Sequence, residues 1–106
     1  MKATTPKQVL IATKWILEHY GWIQGSYYLA NDGWRDIDPI TNSRLCGMCL
    51  TGAMKVVETD TCMVSTAASN LIAAKVNGNI PMWNDSLLRT KKQVIELLDE
   101  LIQEQA

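Results

Sequence analysis

Cys46 and Cys49 stand in a C-x-x-C spacing, and with Cys62 and the lone His19 they make up four soft ligands of the kind zinc takes. Positions i and i+3 on a helix face the same way, yet the other two ligands would have to converge from separate segments. A redox C-x-x-C needs a thiolate exposed at a helix N-terminus. Packing of small thiols in a buried segment asks for less, because free cysteine is among the most buried residue types. No metal and no cofactor are therefore expected. Any Cys–His or Ser–His mechanism must use His19, and Cys49, His19 and an acid such as Asp85 would have to meet from three distant segments. His19 reads instead as a surface or edge residue near a helix C-terminus. No catalytic residue is assigned, and the balance of the residues is against an enzyme.

Two polar clusters carry more. In Trp83-Asn84-Asp85 the Asn and Asp read as caps or turn residues beside a sealing Trp, with Asp85 placed to form a bidentate pair with Arg89, Arg35 or Arg44. The competing role for the cluster is contact with a ligand. Arg89, Thr90, Lys91 and Lys92 combine cations with a helix start, which makes Thr90, Lys91 and Lys92 a candidate anion site. No glycine-rich phosphate loop accompanies it. Trp15, Trp22, Tyr27, Tyr28, Trp34 and Trp83 exceed what a core of this size needs, and those left exposed would anchor a protein partner. Trp22, Tyr27, Tyr28, Trp34, Trp83, Asn84, Asp85 and Arg89 are thus the candidate binding residues.

The elements that must hold these residues read as mostly helical. Thr5-Pro6-Lys7-Gln8 has the T-x-x-Q pattern of a capping box with proline at the first helical position, so a helix is expected over 6–20, stopped by Gly21. Ile11 and Trp15 form a second apolar stripe on it, which either meets the next segment or marks a partner contact. Aromatic residues around Asn31-Asp32-Gly33 suggest a two-stranded hairpin, 26–30 with 34–37. The run 45–57 is apolar on all sides of a helical wheel and reads as a buried central rod, capped by Asn42 or Ser43. A third helix is expected over 62–76, ended by Asn77-Gly78. The stretch 79–89 is the least regular, with Ile80-Pro81 disfavouring helix continuation. Thr90 to Gln93 repeats the capping box and opens a last helix to about 103. The expectation is a mostly helical single domain of four helices, one of them the buried central rod, with the hairpin inserted after the first.

The bulk numbers set the frame. A chain of 106 residues is a single domain, 1–106, on ordinary size grounds. A net charge of -1 gives no general pull toward phosphate backbones, so nucleic acid is not an expected partner. Three cysteines, an odd number, and no leader-like segment point to a reducing cytoplasm. Nothing approaches the roughly 20 apolar residues a membrane span requires.

Gly21-Trp22-Ile23-Gln24-Gly25, Cys49-Leu50-Thr51-Gly52-Ala53 and Trp83-Asn84-Asp85 with Arg89-Thr90 and Val94, in that order, resemble a family of short bacterial and phage proteins known only as a domain of unknown function. Met48 stands where that family often has an aromatic residue, and Cys46 is an addition of this chain. The resemblance implies a stand-alone small protein of bacterial or phage origin and no particular activity. The expected function is a small cytoplasmic binding or regulatory protein acting through the aromatic surface of the hairpin and 80–85. An inhibitor of a host system would fit the size and the resemblance. The alternative is a small-ligand or anion pocket near Asp85 and Arg89, and a homodimer built on the first-helix stripe is a third reading.

Overall fold

Thr5 and Pro6 open the first helix as their types require. In the computed structural model, which describes residues 2–33, 35 and 45–105, helix α1 runs over Pro6–Tyr20 with Thr5 as its N-cap. The Thr5 hydroxyl accepts from the Gln8 N–H at 3.2 Å, while the Gln8 side chain turns back to Thr4, whose N–H donates to it at 2.6 Å. The box is therefore shared between two threonines. Gly21, at φ +120, ends the helix with its N–H donating to the Leu17 carbonyl at 3.0 Å.

The run 45–57 is not one helix. Leu45–Met48 is a strand, β2, and the helix α2 that follows covers only Leu50–Val56, with Cys49 as its N-cap. A short apolar run has no periodicity to tell helix from strand, and here pairing decides it. Strand β1, Tyr28–Ala30, runs antiparallel to β2, with Tyr28 opposite Met48 and Leu29 opposite Gly47. The expected Asn31-Asp32-Gly33 turn does close, since the Gly33 N–H donates to Ala30 at 3.0 Å and Leu29 bridges to Arg35. The rest of the expected partner strand, with Trp34, lies outside the described residues, as do the proposed caps Asn42 and Ser43.

Helix α3, Cys62–Lys75, ends where Asn77 and Gly78 both take positive φ. Helix α5, Lys91–Glu104, has the full capping box: Gln93 N–H to the Thr90 hydroxyl at 3.2 Å, and Thr90 N–H to the Gln93 side chain at 3.1 Å. Between them Ile80–Asn84 forms a fifth helix among the described residues, α4. Pro81 falls in its first turn, where a missing N–H costs nothing, and the Asn79 side chain caps it by accepting from Met82 at 3.0 Å. The proline that should break a helix here begins one.

The larger of two core clusters joins Leu10 and Leu17 of α1, Leu50 and Met54 of α2, Ile72 of α3, and Val94, Leu98 and Leu101 of α5, and a smaller one joins Ala3, Val9 of α1 and Ala68 of α3. α1 packs on α2, α3, α5 and β2, so it, and not the 45–57 segment, is the element the others share. The chain start is tied down as well, Ala3 exchanging backbone hydrogen bonds with Glu58 and Asp60. No helix among the described residues is long and apolar enough to cross a membrane.

Candidate functional site

Asn84, the last residue of α4, is fully buried in a core that is otherwise almost entirely apolar. Its Oδ1 accepts from the Trp22 indole N–H at 2.6 Å and from the Leu50 backbone N–H at 3.0 Å. Its Nδ2 donates to the Ile23 carbonyl at 3.1 Å and to the Asp85 carboxylate at 2.9 Å. Every hydrogen-bonding direction of the amide is used, and the two donors on one side fix which atom is oxygen. One side chain thus joins the 21–25 loop, the start of α2 and the end of α4.

The same loop is gripped from both sides. Met48 exchanges backbone hydrogen bonds with Gly21 and Ile23, each at 3.0 Å. The Gln24 side chain donates to the carbonyls of Asn84 and Ser86, each at 2.9 Å, and the Gly25 N–H donates to Asp85 Oδ1 at 3.0 Å. Asp85 is therefore paired with an amide and a backbone N–H, and two of the three arginines expected beside it, Arg89 and Arg35, go elsewhere. The Arg89 Nε donates to the Trp83 carbonyl at 3.0 Å while its guanidinium lies 4.0 Å over the Trp83 ring. Arg35 donates to the Gln24 carbonyl at 3.1 Å and the Ser26 hydroxyl at 3.0 Å. Arg44 lies outside the described residues.

Around this junction is a depression of about 190 Å³, lined by Gly25, Ser26, Tyr27, Cys49, Pro81, Asn84 and Asp85. All three segments that carry the family resemblance supply part of its wall. Asp85 Oδ1 is committed to Gly25 and Asn84, and among the described residues its second oxygen has no hydrogen-bond partner. Cys49 closes the depression with its sulfur accepting from the Gly52 N–H at 3.3 Å. Burial pushes its thiol above the ordinary range, and the nearby Asp85 charge adds to this, against a smaller lowering by the α2 backbone N–H groups. The thiol is neutral near pH 7 and a poor nucleophile. Iodoacetamide at pH 8 should therefore modify exposed Cys62 at least roughly tenfold faster than Cys49, as read by peptide mass spectrometry. Equal rates would contradict the burial of Cys49.

The cysteines do not form the unit their spacing suggested. Cys46 lies in β2, Cys49 caps α2 and Cys62 starts α3. Among the described residues no group of three or more His, Cys, Asp or Glu is placed to hold a metal ion. His19 is exposed at the end of α1, stacked on Trp15 with ring centroids 4.6 Å apart.

The aromatic candidates divide. Trp22, Tyr28 and Trp83 pack against the core and are half-buried. Tyr27 is exposed, with the Lys55 ammonium 4.4 Å from its ring centroid. Trp34 lies outside the described residues. At the anion candidate, the Thr90 side chain and N–H are both used by the capping box, and the exposed Lys92 sits 3.9 Å from Glu96. Near the depression, sequence reasoning does not single out three exposed apolar residues: Met82 on α4, 70% exposed, and Leu87 and Leu88 on the turn after it, 91% and 85% exposed. Leu88 has φ +72, a conformation that favours glycine, in a turn closed by the Arg89 N–H to the Ser86 carbonyl at 3.0 Å. Two leucines next to each other between helices, with no apolar periodicity around them, are the sequence signal for this tip.

A family model described as a family of unknown function, DUF6197, matches residues 1–104. No curated protein and no solved structure matches the chain.

Proposed function

The chain belongs to DUF6197, a family of unknown function, and on that premise we propose that it is a binding protein that holds a protein partner at the depression beside Asp85. The observation that carries this reading is the combination of a carboxylate held by two hydrogen bonds with exposed apolar side chains on the segments that flank it, Tyr27 in the wall of the depression and Met82, Leu87 and Leu88 on the chain around Asp85. Gly25 and Asn84 fix one oxygen of Asp85, leaving the other for a donor or cationic side chain of the partner. Tyr27 and Met82 lie at or next to its wall, and Leu87 and Leu88 follow Asp85 in the chain. Exposed apolar residues around a polar anchor are the usual anatomy of a protein interface.

Size favours a protein over a small molecule. At about 190 Å³ the depression is below the 300 to 1,000 Å³ of drug-sized ligand sites, and it suits one inserted side chain. The neutral Cys49 thiol supports binding over nucleophilic chemistry. A small protein that acts by occupying a partner, with no reaction of its own, is a regulator or inhibitor, and we place that role, in the cytoplasm, within this proposal.

Affinity capture from a lysate of the source organism tests it. Wild-type protein should retain a partner that Met82→Asp and Asp85→Ala each lose, a drop of at least roughly tenfold for hot-spot positions. Both side chains are exposed, so circular dichroism should confirm that the variants fold. Equal capture by all three proteins, or a retained small molecule in native mass spectrometry with no protein captured, would overturn the reading.

A further inference from the structure

An asparagine side chain reacts most readily with the backbone nitrogen that follows it when the next residue is glycine, which has no side chain to block the approach. Asn77-Gly78 is the one such pair in the chain. It lies where α3 ends, in a Schellman close. Asn77 takes φ +60 and Gly78 φ +90, and the Gly78 N–H donates to the Ala73 carbonyl at 2.8 Å. Both residues are exposed, a Cβ built on Gly78 would meet nothing within 4 Å, and among the described residues no hydrogen bond holds the Asn77 amide. The other asparagines are held or precede larger residues. Asn84 is buried with its amide fully bonded, and Asn79 caps α4 through its Oδ1. Asn70 sits inside α3 before Leu71, and Asn31 precedes Asp32. Asn42, before Ser43, lies outside the described residues.

We infer that Asn77 is a site of spontaneous covalent modification, deamidation through a cyclic imide. The Gly78 nitrogen gives up its proton to solvent base and attacks Cγ of Asn77. The bond from Cγ to Nδ2 breaks, and that nitrogen takes up a proton and leaves as ammonia. Water then opens the imide at one of its two carbonyls. Opening at Cγ leaves aspartate; opening at the backbone carbonyl leaves isoaspartate, whose main chain is one carbon longer. No oxidant, reductant or cofactor is consumed. Either product puts a carboxylate at the C-terminal end of α3, the negative end of its dipole. Lys75, the cation of that turn, already holds Glu100 at 3.0 Å and Glu104 at 2.8 Å. The modification therefore weakens the close of α3. The fold also sets its pace, because the Gly78 N–H must leave Ala73 before its nitrogen can turn to Cγ.

Timed incubation of the full chain at growth temperature and mildly alkaline pH, followed by tryptic digestion and electron-transfer fragmentation of peptide 76–89, tests the inference. A synthetic peptide of the same residues is the unfolded reference. Aspartate and isoaspartate should accumulate at Asn77 ahead of every other asparagine, and about three- to tenfold more slowly than in the peptide, the factor one backbone hydrogen bond supplies. Asn77→Gly, which suits the positive φ, should abolish most of the mass gain of the aged chain. Asn77→Asp, which supplies the carboxylate directly, should lower Tm by about 2 to 6 °C. An intact Asn77 when the peptide is fully converted, or an earlier loss of another asparagine, overturns the assignment. A native rate equal to that of the peptide contradicts the hold by Ala73, and an unchanged Tm for Asn77→Asp contradicts the weakening of α3. These variants leave the partner surface beside Asp85 untouched, so its test and this one fail independently.

Discussion

Asn84→Ala is expected to lower stability by about 3 to 5 kcal/mol, because it strips partners from several buried groups at once. The Trp22 indole N–H, the Leu50 N–H and the Ile23 carbonyl all lose the atom they bond to. Each unsatisfied buried group costs about 1 to 3 kcal/mol, and a water entering the vacated space can recover only part of that. Against a total of roughly 5 to 15 kcal/mol for a domain of this kind, the variant would be close to unfolding at growth temperature. Thermal denaturation should show a fall in Tm of about 15 to 25 °C. Trp22→Phe removes one donor and keeps the ring, so about 1 to 2 kcal/mol is expected there. A shift below about 5 °C for Asn84→Ala would mean that the amide is not the junction described.

Gly52→Ala separates local preference from tertiary fit. On helix propensity alone, alanine inside α2 would stabilise by about 1 kcal/mol. Yet a Cβ on Gly52 would fall onto the carbonyl oxygen of Tyr27 and come within 3.1 Å of its carbon. That carbonyl cannot move freely, since it accepts the Cys49 N–H at 3.1 Å and leads into the strand paired with β2. A clash with fixed backbone outweighs the propensity gain, and a net loss of about 2 to 3 kcal/mol is expected in urea denaturation. Any stabilisation would show that β1 and α2 are not held together as described. At Gly47 the corresponding neighbour is the Ile23 side chain at 2.8 Å, which can rotate, so Gly47→Ala should cost less.

These positions mark the boundary of what the sequence discloses. α1 and α5 were legible to the residue at their starts because Thr5-Pro6 and Thr90 are local signals whose effect does not depend on distant chain. Helix α4 is not legible because Ile80-Pro81 reads equally as a stop and as a first turn, and the deciding cap, Asn79, is ambiguous alone. The 45–57 run reads as a single helix for a different reason. Its first four residues become a strand only because Tyr28–Ala30 supplies the backbone to pair with. At the site, Trp22, Asn84 and Asp85 stood out by type, but Trp22 and Asn84 are 62 positions apart, and no periodicity reports such a contact. Pairing Asp85 with an arginine was reasonable from charge. Among the described residues the structure gives it two neutral N–H donors, and it turns Arg89 onto Trp83 and Arg35 onto Gln24 and Ser26.

Two surfaces result from this packing. One is the outward stripe of α1 itself, where Ile11 and Trp15 are exposed. The other is the depression that the three segments bearing the family resemblance assemble around Asn84, and the proposal that it receives a partner is the main claim. Photo-crosslinking in the living cell tests that claim most directly, with benzoylphenylalanine placed at Met82 in one variant and at exposed Thr66 of α3 in another. The account predicts a discrete higher-mass adduct from position 82 that disappears when Asp85→Ala is added, and none from position 66. Adducts from position 66 but not from 82, or an adduct from 82 that persists without the Asp85 carboxylate, would contradict it.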